Sequence, residues 1–425
     1  MRLIFTYIAL LMALHLSAQT LDREAARSVY SQYDFDAERI DEPAPKGFKP
    51  FYISHYGRHG ARYIYKDSEY ELLFGVFSRA REAGVLTPLG KDLYDSFMKV
   101  YPYFHGRAGE LTLLGQHQHR MLASRLLDAY PQIFNKNPLV RAESSIYPRC
   151  IMSMNAFCDV LRGNGCEVYE NVDGRNMAYM APYSRHNPKF KGEDQSWRRE
   201  YAEYFDTHFD RTSFYGRLFS DPDFASSIEM DMEFIMTLYY MDAHMAGTEF
   251  PEISFGEVFS DDDYALCNEM DNIKFYMRKG WGEGWQGKVN VALGEALMRD
   301  ILEKAETALA SGQPSADLRF GHDGAIMTLL AFLRADGWNK RASCMSDIKN
   351  VWCSSRVPMA SNIRFIFLKK GNEVIVKAQY NESDLKLPLE AYSGSYYRWS
   401  DFFDYYSERI AEAVLILSEY TLNLH

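Results

Sequence analysis

The sequence predicts an α/β fold: a parallel sheet flanked by helices, interrupted by a long, mostly helical insertion. Short strand-like runs alternate with helical patterns in the first 171 residues and again after residue 287. Between about Val172 and Gln286, aromatic, Met and acidic residues crowd together and strand-like alternation is scarce. The chain has 425 residues, 47% of them hydrophobic, which is enough for a large core and more than one average domain.

The elements follow in order. Lys49 to His55 reads as a strand bounded by Pro50 and Gly57. Helical patterns cover Ser68 to Ala83, Lys91 to Tyr103 and Thr112 to Phe134. Leu139 to Ala142 is a short strand, and Tyr147 to Leu161 a helix with Pro148 suited to its first turn. After the insertion, Gly294 to Ser311 is helical, Leu318 to Phe320 is a strand, and Ala325 to Ala335 is a helix. Asn362 to Lys369 and Glu373 to Tyr380 flank a Gly371-Asn372 turn and form a hairpin. Ser400 to Leu422 is a last amphipathic helix. The chain therefore divides into a segment 1–18, an α/β domain of 19–171 and 287–425, and a helical insertion of 172–286.

The segment 1–18 has the form of a signal peptide. Arg2 is a positive start, Leu3 to Leu14 is mostly apolar, and Leu16-Ser17-Ala18 offers a cleavage site before Gln19. The run is too short to span a bilayer comfortably, and no stop-transfer pattern follows. The alternative is an uncleaved anchor. The expected location is periplasmic or extracellular, with no stable membrane span after cleavage. The formal net charge of −11 disfavours non-specific nucleic-acid binding, and any anion site must be a local basic pocket. The six cysteines allow 15 pairings, with Cys344 and Cys353 the first pair to test. None has zinc-type spacing, and oligomeric state is open.

The chemistry concentrates in Arg58-His59-Gly60-Ala61-Arg62, just after the first strand. In open α/β sheets ligands bind beyond the carboxyl ends of strands. Arg58 and Arg62 are four apart, so a helical turn would bring both to one side of a phosphoryl group. An imidazole between two cations is held neutral, the form that attacks phosphorus. His322-Asp323 follows a second strand and precedes a helix, suited to an oxyanion partner and a general acid. Taken alone, each could be an ordinary surface loop.

Together these segments resemble the histidine phosphatase superfamily, in the branch of histidine acid phosphatases, phytases and multiple inositol polyphosphate phosphatases. Arg58-His59-Gly60-Ala61-Arg62 is similar to its Arg-His-Gly-x-Arg signature, although the usual x-Pro is replaced by Tyr63-Ile64. Leu111-Thr112, Gly115 and Gln118 resemble its Leu-Thr-x-x-Gly-x-x-Gln helix start. Ser144 to Ser153 resembles the segment carrying a further phosphate-binding arginine, here Arg149, and His322-Asp323 matches the His-Asp pair. Pro358 to Asn362 and the hairpin through Pro388 are similar to the C-terminal sheet segment. The matches run from about Phe51 to Pro388 in the family's order.

The resemblance implies a Rossmann-like sheet with an inserted helical domain that sets substrate specificity. It implies a phosphomonoester hydrolase working through a phosphohistidine at His59. Arg58, Arg62, Arg149 and His322 would hold the phosphoryl group, and Asp323 would protonate the leaving alcohol, with an acidic pH optimum. Lys66, four residues past Arg62, would touch a second substrate phosphate. No metal or organic cofactor is implied. The implied partner is a small phosphate ester, with inositol polyphosphates such as phytate first. The competing readings are a broad acid phosphatase on sugar phosphates or nucleotides, and an inactive phosphate-ester binding protein. His322-Asp323 resembles the His-Asp phytases, whereas His55-Tyr56-Gly57 resembles bacterial inositol polyphosphate phosphatases; the sequence leaves these open. Arg185, Lys189, Lys191, Arg198 and Arg199 are candidates for extra cations. His55, Gln116-His117-Gln118-His119 and Ser260 to Asp263 are read as structural.

Overall fold

The computed structural model describes residues 21–422 except 136, 137, 193, 194 and 283. The segment read as a signal peptide lies outside the described residues.

Among the described residues, eight strands form one sheet: β1 (Lys49–Arg58), β2 (Leu139–Ser144), β3 (Glu167–Val172), β4 (Ala316–Gly321), β5 (Asn362–Lys370), β6 (Glu373–Tyr380), β7 (Ser383–Asp384) and β8 (Tyr396–Arg398). Their order is β3-β2-β4-β1-β5-β6-β7, with β8 also on β6. β3, β2, β4 and β1 are parallel, while β5 to β8 extend the sheet antiparallel. The expected parallel sheet is thus mixed. The cause is local: Arg58 N donates to Ser361 O at 2.7 Å and Ala360 N to His59 O at 3.0 Å, so the chain enters β5 beside the end of β1 and must run back along it. β3 was not expected. Glu167–Val172 is an edge strand with mostly exposed side chains, so it lacks the apolar alternation that marks a half-buried strand.

Helices α1 (Asp67–Ala83), α2 (Pro88–Phe104), α3 (Leu113–Ala129) and α4 (Pro148–Gly163) precede β3. Thr112 caps α3, its hydroxyl accepting from Gly115 N. The helix stops at Ala129 rather than Phe134 because Tyr130 precedes Pro131, and a residue before proline is pushed out of helical geometry. The stretch after β3 is helical: α5 (Met177–Met180), α6 (Arg198–His208), α7 (Arg211–Leu218), α8 (Pro222–Ser226), α9 (Asp231–Met245), α10 (Asp261–Lys279) and α11 (Gly284–Ala292). Ser260, in the acidic Ser260 to Asp263 run, caps α10. α12 (Glu295–Ser311), α13 (Asp323–Phe332), α14 (Ile348–Val351) and α15 (Trp399–Leu422) complete the chain.

Alternating residues of β1 feed two apolar layers. Ile53 joins Leu122 and Leu126 of α3 and Phe157 of α4 on one face. Tyr52 and Tyr56 join Leu297, Ile301, Phe402 and Tyr406 on the other. The second layer continues without a break into Phe205, Tyr239 and Met270 of the helical stretch, which is therefore packed against the sheet domain rather than hung from it. The parallel register of β1 on β4 pairs Arg58 with Gly321. It brings the two residues that follow, His59 and His322, side by side at the carboxyl edge.

Candidate active site

The loop after β1 is held from three sides. His59 N donates to Gly321 O at 3.0 Å, Gly60 N to Ser153 Oγ at 3.2 Å, and Ala61 N to Gln118 Oε1 at 2.8 Å. A Cβ on Gly60 would lie 2.3 Å from the Gly115 carbonyl oxygen, so glycine is required at both ends of this contact between the loop and α3. The expected helical turn from Arg58 to Arg62 is absent. The loop stays irregular because its amides are committed to α3, α4 and β4.

Nδ1 of His59 lies 2.9 Å from the Gly60 carbonyl oxygen. It therefore carries the proton and donates, leaving the Nε2 lone pair available. Burial, reinforced by Arg149, Arg58 and Arg62, holds the His59 pKa well below that of free histidine, so the ring is neutral. Its ring centre is 5.7 Å from that of His322. His322 is neutral too, held down to about 3 by burial and by Arg149. Arg149 Nη2 points at His322 Nδ1 from 3.4 Å, and Ser145 Oγ is 3.1 Å from Nε2.

Arg58, Arg62 and Arg149 are all buried around these rings. Arg58 sits deepest. Its Nη1 donates to Val29 O and Val357 O, and its Nη2 is 3.2 Å from Asp323 Oδ2. Among the described residues, no carboxylate reaches ion-pair distance of Arg62 or Arg149, so three guanidiniums face one carboxylate. Asp323 opens α13 and accepts from Gly324 N at 2.6 Å. Burial pushes its pKa up, but Arg58, Arg62 and His322 outweigh that and the net shift is downward. The helix N-terminus favours the same ionised form.

These groups open onto a cleft of about 390 Å³ between the carboxyl edge of the sheet and the helical stretch. His59, Arg62, Arg149, His322, Asp323, Glu69 and the exposed Lys66 line it, and the buried Arg58 reaches it through its pairing with Asp323. α10 contributes Asp271, Lys274, Arg278 and Lys279, with Lys274 Nζ 3.0 Å from Asp271 Oδ1. Arg185, Lys189, Lys191, Arg198 and Arg199, the sequence candidates for extra cations, are not among the lining residues; Lys189, for one, is paired with Glu295. Lys274 and Arg278 are one turn apart, a spacing visible in the sequence, but only packing shows that this face meets the cleft.

Sequence reasoning also passed over Ser145, Tyr147, Tyr65 and Tyr30. Ser145 and Tyr147 lie inside the Ser144 to Ser153 segment already singled out, whereas Tyr30 is brought in from before β1 with no sequence signal. His55 is buried between Phe157 and Phe320. His117 is exposed while His119 is buried, so the two face different ways and share no ligand. All six cysteines are unpaired, Cys344 and Cys353 included. Among the described residues no cluster of His, Cys, Asp or Glu could hold a metal.

The fold is similar to that of the Bifidobacterium longum multiple inositol polyphosphate phosphatase in complex with phosphate: TM-score 0.73, 16% identity, 88% of this chain and 96% of that one. For the same protein in complex with inositol hexasulfate the values are 0.71, 17%, 88% and 96%. The phytase from D. castellii gives 0.70 and 15% identity over 92% of this chain and 85% of the other. At these identities the likeness is one of fold. No curated protein matches by sequence. A family model, however, matches residues 57–381, from the glycine before Arg58 to the turn after β6. The chain belongs to the histidine phosphatase superfamily, branch 2.

Proposed function

We propose that this phosphatase hydrolyses inositol polyphosphates, phytate among them, through a phosphohistidine at His59. The observation that carries the reaction is the charge around the nucleophile: a neutral imidazole amid three buried guanidiniums with one carboxylate, Asp323, at ion-pair distance, while Glu69 and Asp271 also line the cleft. Such a site favours a bound anion and stabilises charge developing on phosphoryl oxygens. The Nε2 of His59 attacks phosphorus, the P–O bond to the alcohol breaks, and Asp323 gives its proton to the leaving oxygen. Water then attacks phosphorus, the P–Nε2 bond breaks and returns neutral His59, and Asp323 takes a proton from the attacking water. Arg58, Arg62, Arg149 and His322 hold the phosphoryl oxygens, and Arg58 also orients Asp323.

The polyphosphate preference rests on α10. Lys274, Arg278 and Lys279 line the cleft with Lys66, and although Lys274 is paired with Asp271, cations are present beyond those needed for one phosphate. The solved relatives named for inositol polyphosphates and phytate agree with this choice. The helical stretch 172–286 then acts as the substrate-specificity domain on a catalytic domain of 19–171 and 287–425. The protein works outside the cytoplasm after removal of residues 1–18; among the described residues no helix is long and apolar enough to cross a membrane.

The test is hydrolysis of phytate and of an aryl phosphate at acid pH by wild type and His59→Ala. Wild type should release phosphate from both and the variant from neither. Rapid acid-free quenching of wild type with labelled substrate should trap phosphate on His59. Residual turnover by His59→Ala near the wild-type rate would end the proposal.

A further inference from the structure

The cleft-facing arginines are held in an uncommon way. Arg62 has its guanidinium carbon 5.2 Å from the ring centre of Tyr30 and 5.7 Å from that of Tyr65. Arg149 lies 5.6 Å from the same Tyr65 ring and 5.1 Å from Tyr147. Tyr147 in turn meets His322 edge-on, centres 5.0 Å apart. Cations and rings thus alternate from Tyr30 through Arg62, Tyr65 and Arg149 to Tyr147. Tyr65 is the ring common to both arginines, and it is 48% exposed at the rim.

We propose that Tyr65 is a positioning residue, setting the separation and orientation of Arg62 and Arg149 so that both forks meet one phosphoryl group. A carboxylate could also hold an arginine, but it would occupy the N–H donors and cancel the charge that the substrate needs. A ring face attracts the guanidinium through its quadrupole and leaves the in-plane N–H groups unused. A ring shared by two like charges also offsets their mutual repulsion, in a pair that among the described residues has no carboxylate at ion-pair distance. The role rests on the proposed assignment of Arg62 and Arg149 as phosphate ligands.

The experiment compares Tyr65→Leu, Tyr65→Phe and Arg149→Ala in the full chain. Its readouts are the affinity for inorganic phosphate by calorimetry, KM and kcat on an aryl phosphate, and Tm. Tyr65→Leu keeps bulk but loses the ring, and should weaken phosphate binding and raise KM by about tenfold, as two cation–π contacts near a surface imply. Tyr65→Phe keeps the ring and should restore most of that loss. Tm should change little in either variant, because the side chain is half exposed. If Arg149→Ala weakens phosphate binding while Tyr65→Leu does not, or if Tyr65→Phe loses as much as Tyr65→Leu, the tyrosine has no positioning role. If Arg149→Ala leaves phosphate affinity unchanged, the assignment of the arginines fails and the proposal falls with it.

Discussion

At the scale of single residues, each reactive group is tuned by its neighbours. His59 is neutral because it is buried among cations, and its Nδ1 proton is committed to Gly60 O. Asp323 is held ionised by Arg58 and Arg62 despite burial. A general acid must carry a proton, so the sign matters. A dianionic phosphate bound between the arginines offsets their charge and raises the proton affinity of Asp323. Lower pH then favours the competent form, and activity should fall as pH rises. Asp323→Asn removes the acid. It should cut kcat on an alkyl phosphate by roughly 10²–10⁴-fold, but far less on an aryl phosphate whose leaving group needs no proton. Steady-state rates on the two substrates check this, and an equal loss on both would assign Asp323 a different role. Most of these residues were legible from the motif segments. Their surroundings were not: the irregular loop from His59 to Tyr63 replaces the expected turn because its amides bond to Ser153 and Gln118, residues far away in sequence.

At the scale of elements, α3 braces the loop after β1 through Gly115 and Gln118. His119 is buried against Phe157 and Phe320, and burial lowers its pKa to about 3 from an ordinary 6.5. Its neutral state therefore contributes stability that is complete above pH 6.5, as the unfolded ring is then neutral as well. That contribution is lost as pH falls from 6.5 toward 3, because the unfolded chain takes up a proton that the folded one refuses. His119→Phe keeps an aromatic ring in place and removes the titration. Tm should decline less steeply through this window than in wild type; an unchanged slope would exclude His119 as a source of acid sensitivity. Helix positions were read well from apolar spacing and caps, as in α1, α4, α12 and α15. β3 was not, because an exposed edge strand buries too little to impose alternation.

At the scale of the whole molecule, the cleft exists because α10 of the helical stretch faces the carboxyl edge of the sheet. Changing Lys274 and Arg278 together to Ala should raise KM for phytate by roughly tenfold or more if, as proposed, each cation supplies a charge-assisted hydrogen bond to a distal phosphate. KM for an aryl monophosphate should change little. An equal effect on both substrates would favour a broad acid phosphatase.

The sequence by itself determined the family and the α/β alternation, and it singled out Arg58, His59, Arg62, Arg149, His322 and Asp323 as candidates, because strand ends and short motifs are local properties. Only the tertiary structure decided that Arg58 pairs with Asp323. It alone decided that the added cations come from α10, and that tyrosines from three separate segments flank the arginines. These features depend on strand register and on one continuous apolar layer joining segments more than two hundred residues apart, and no local pattern encodes such contacts.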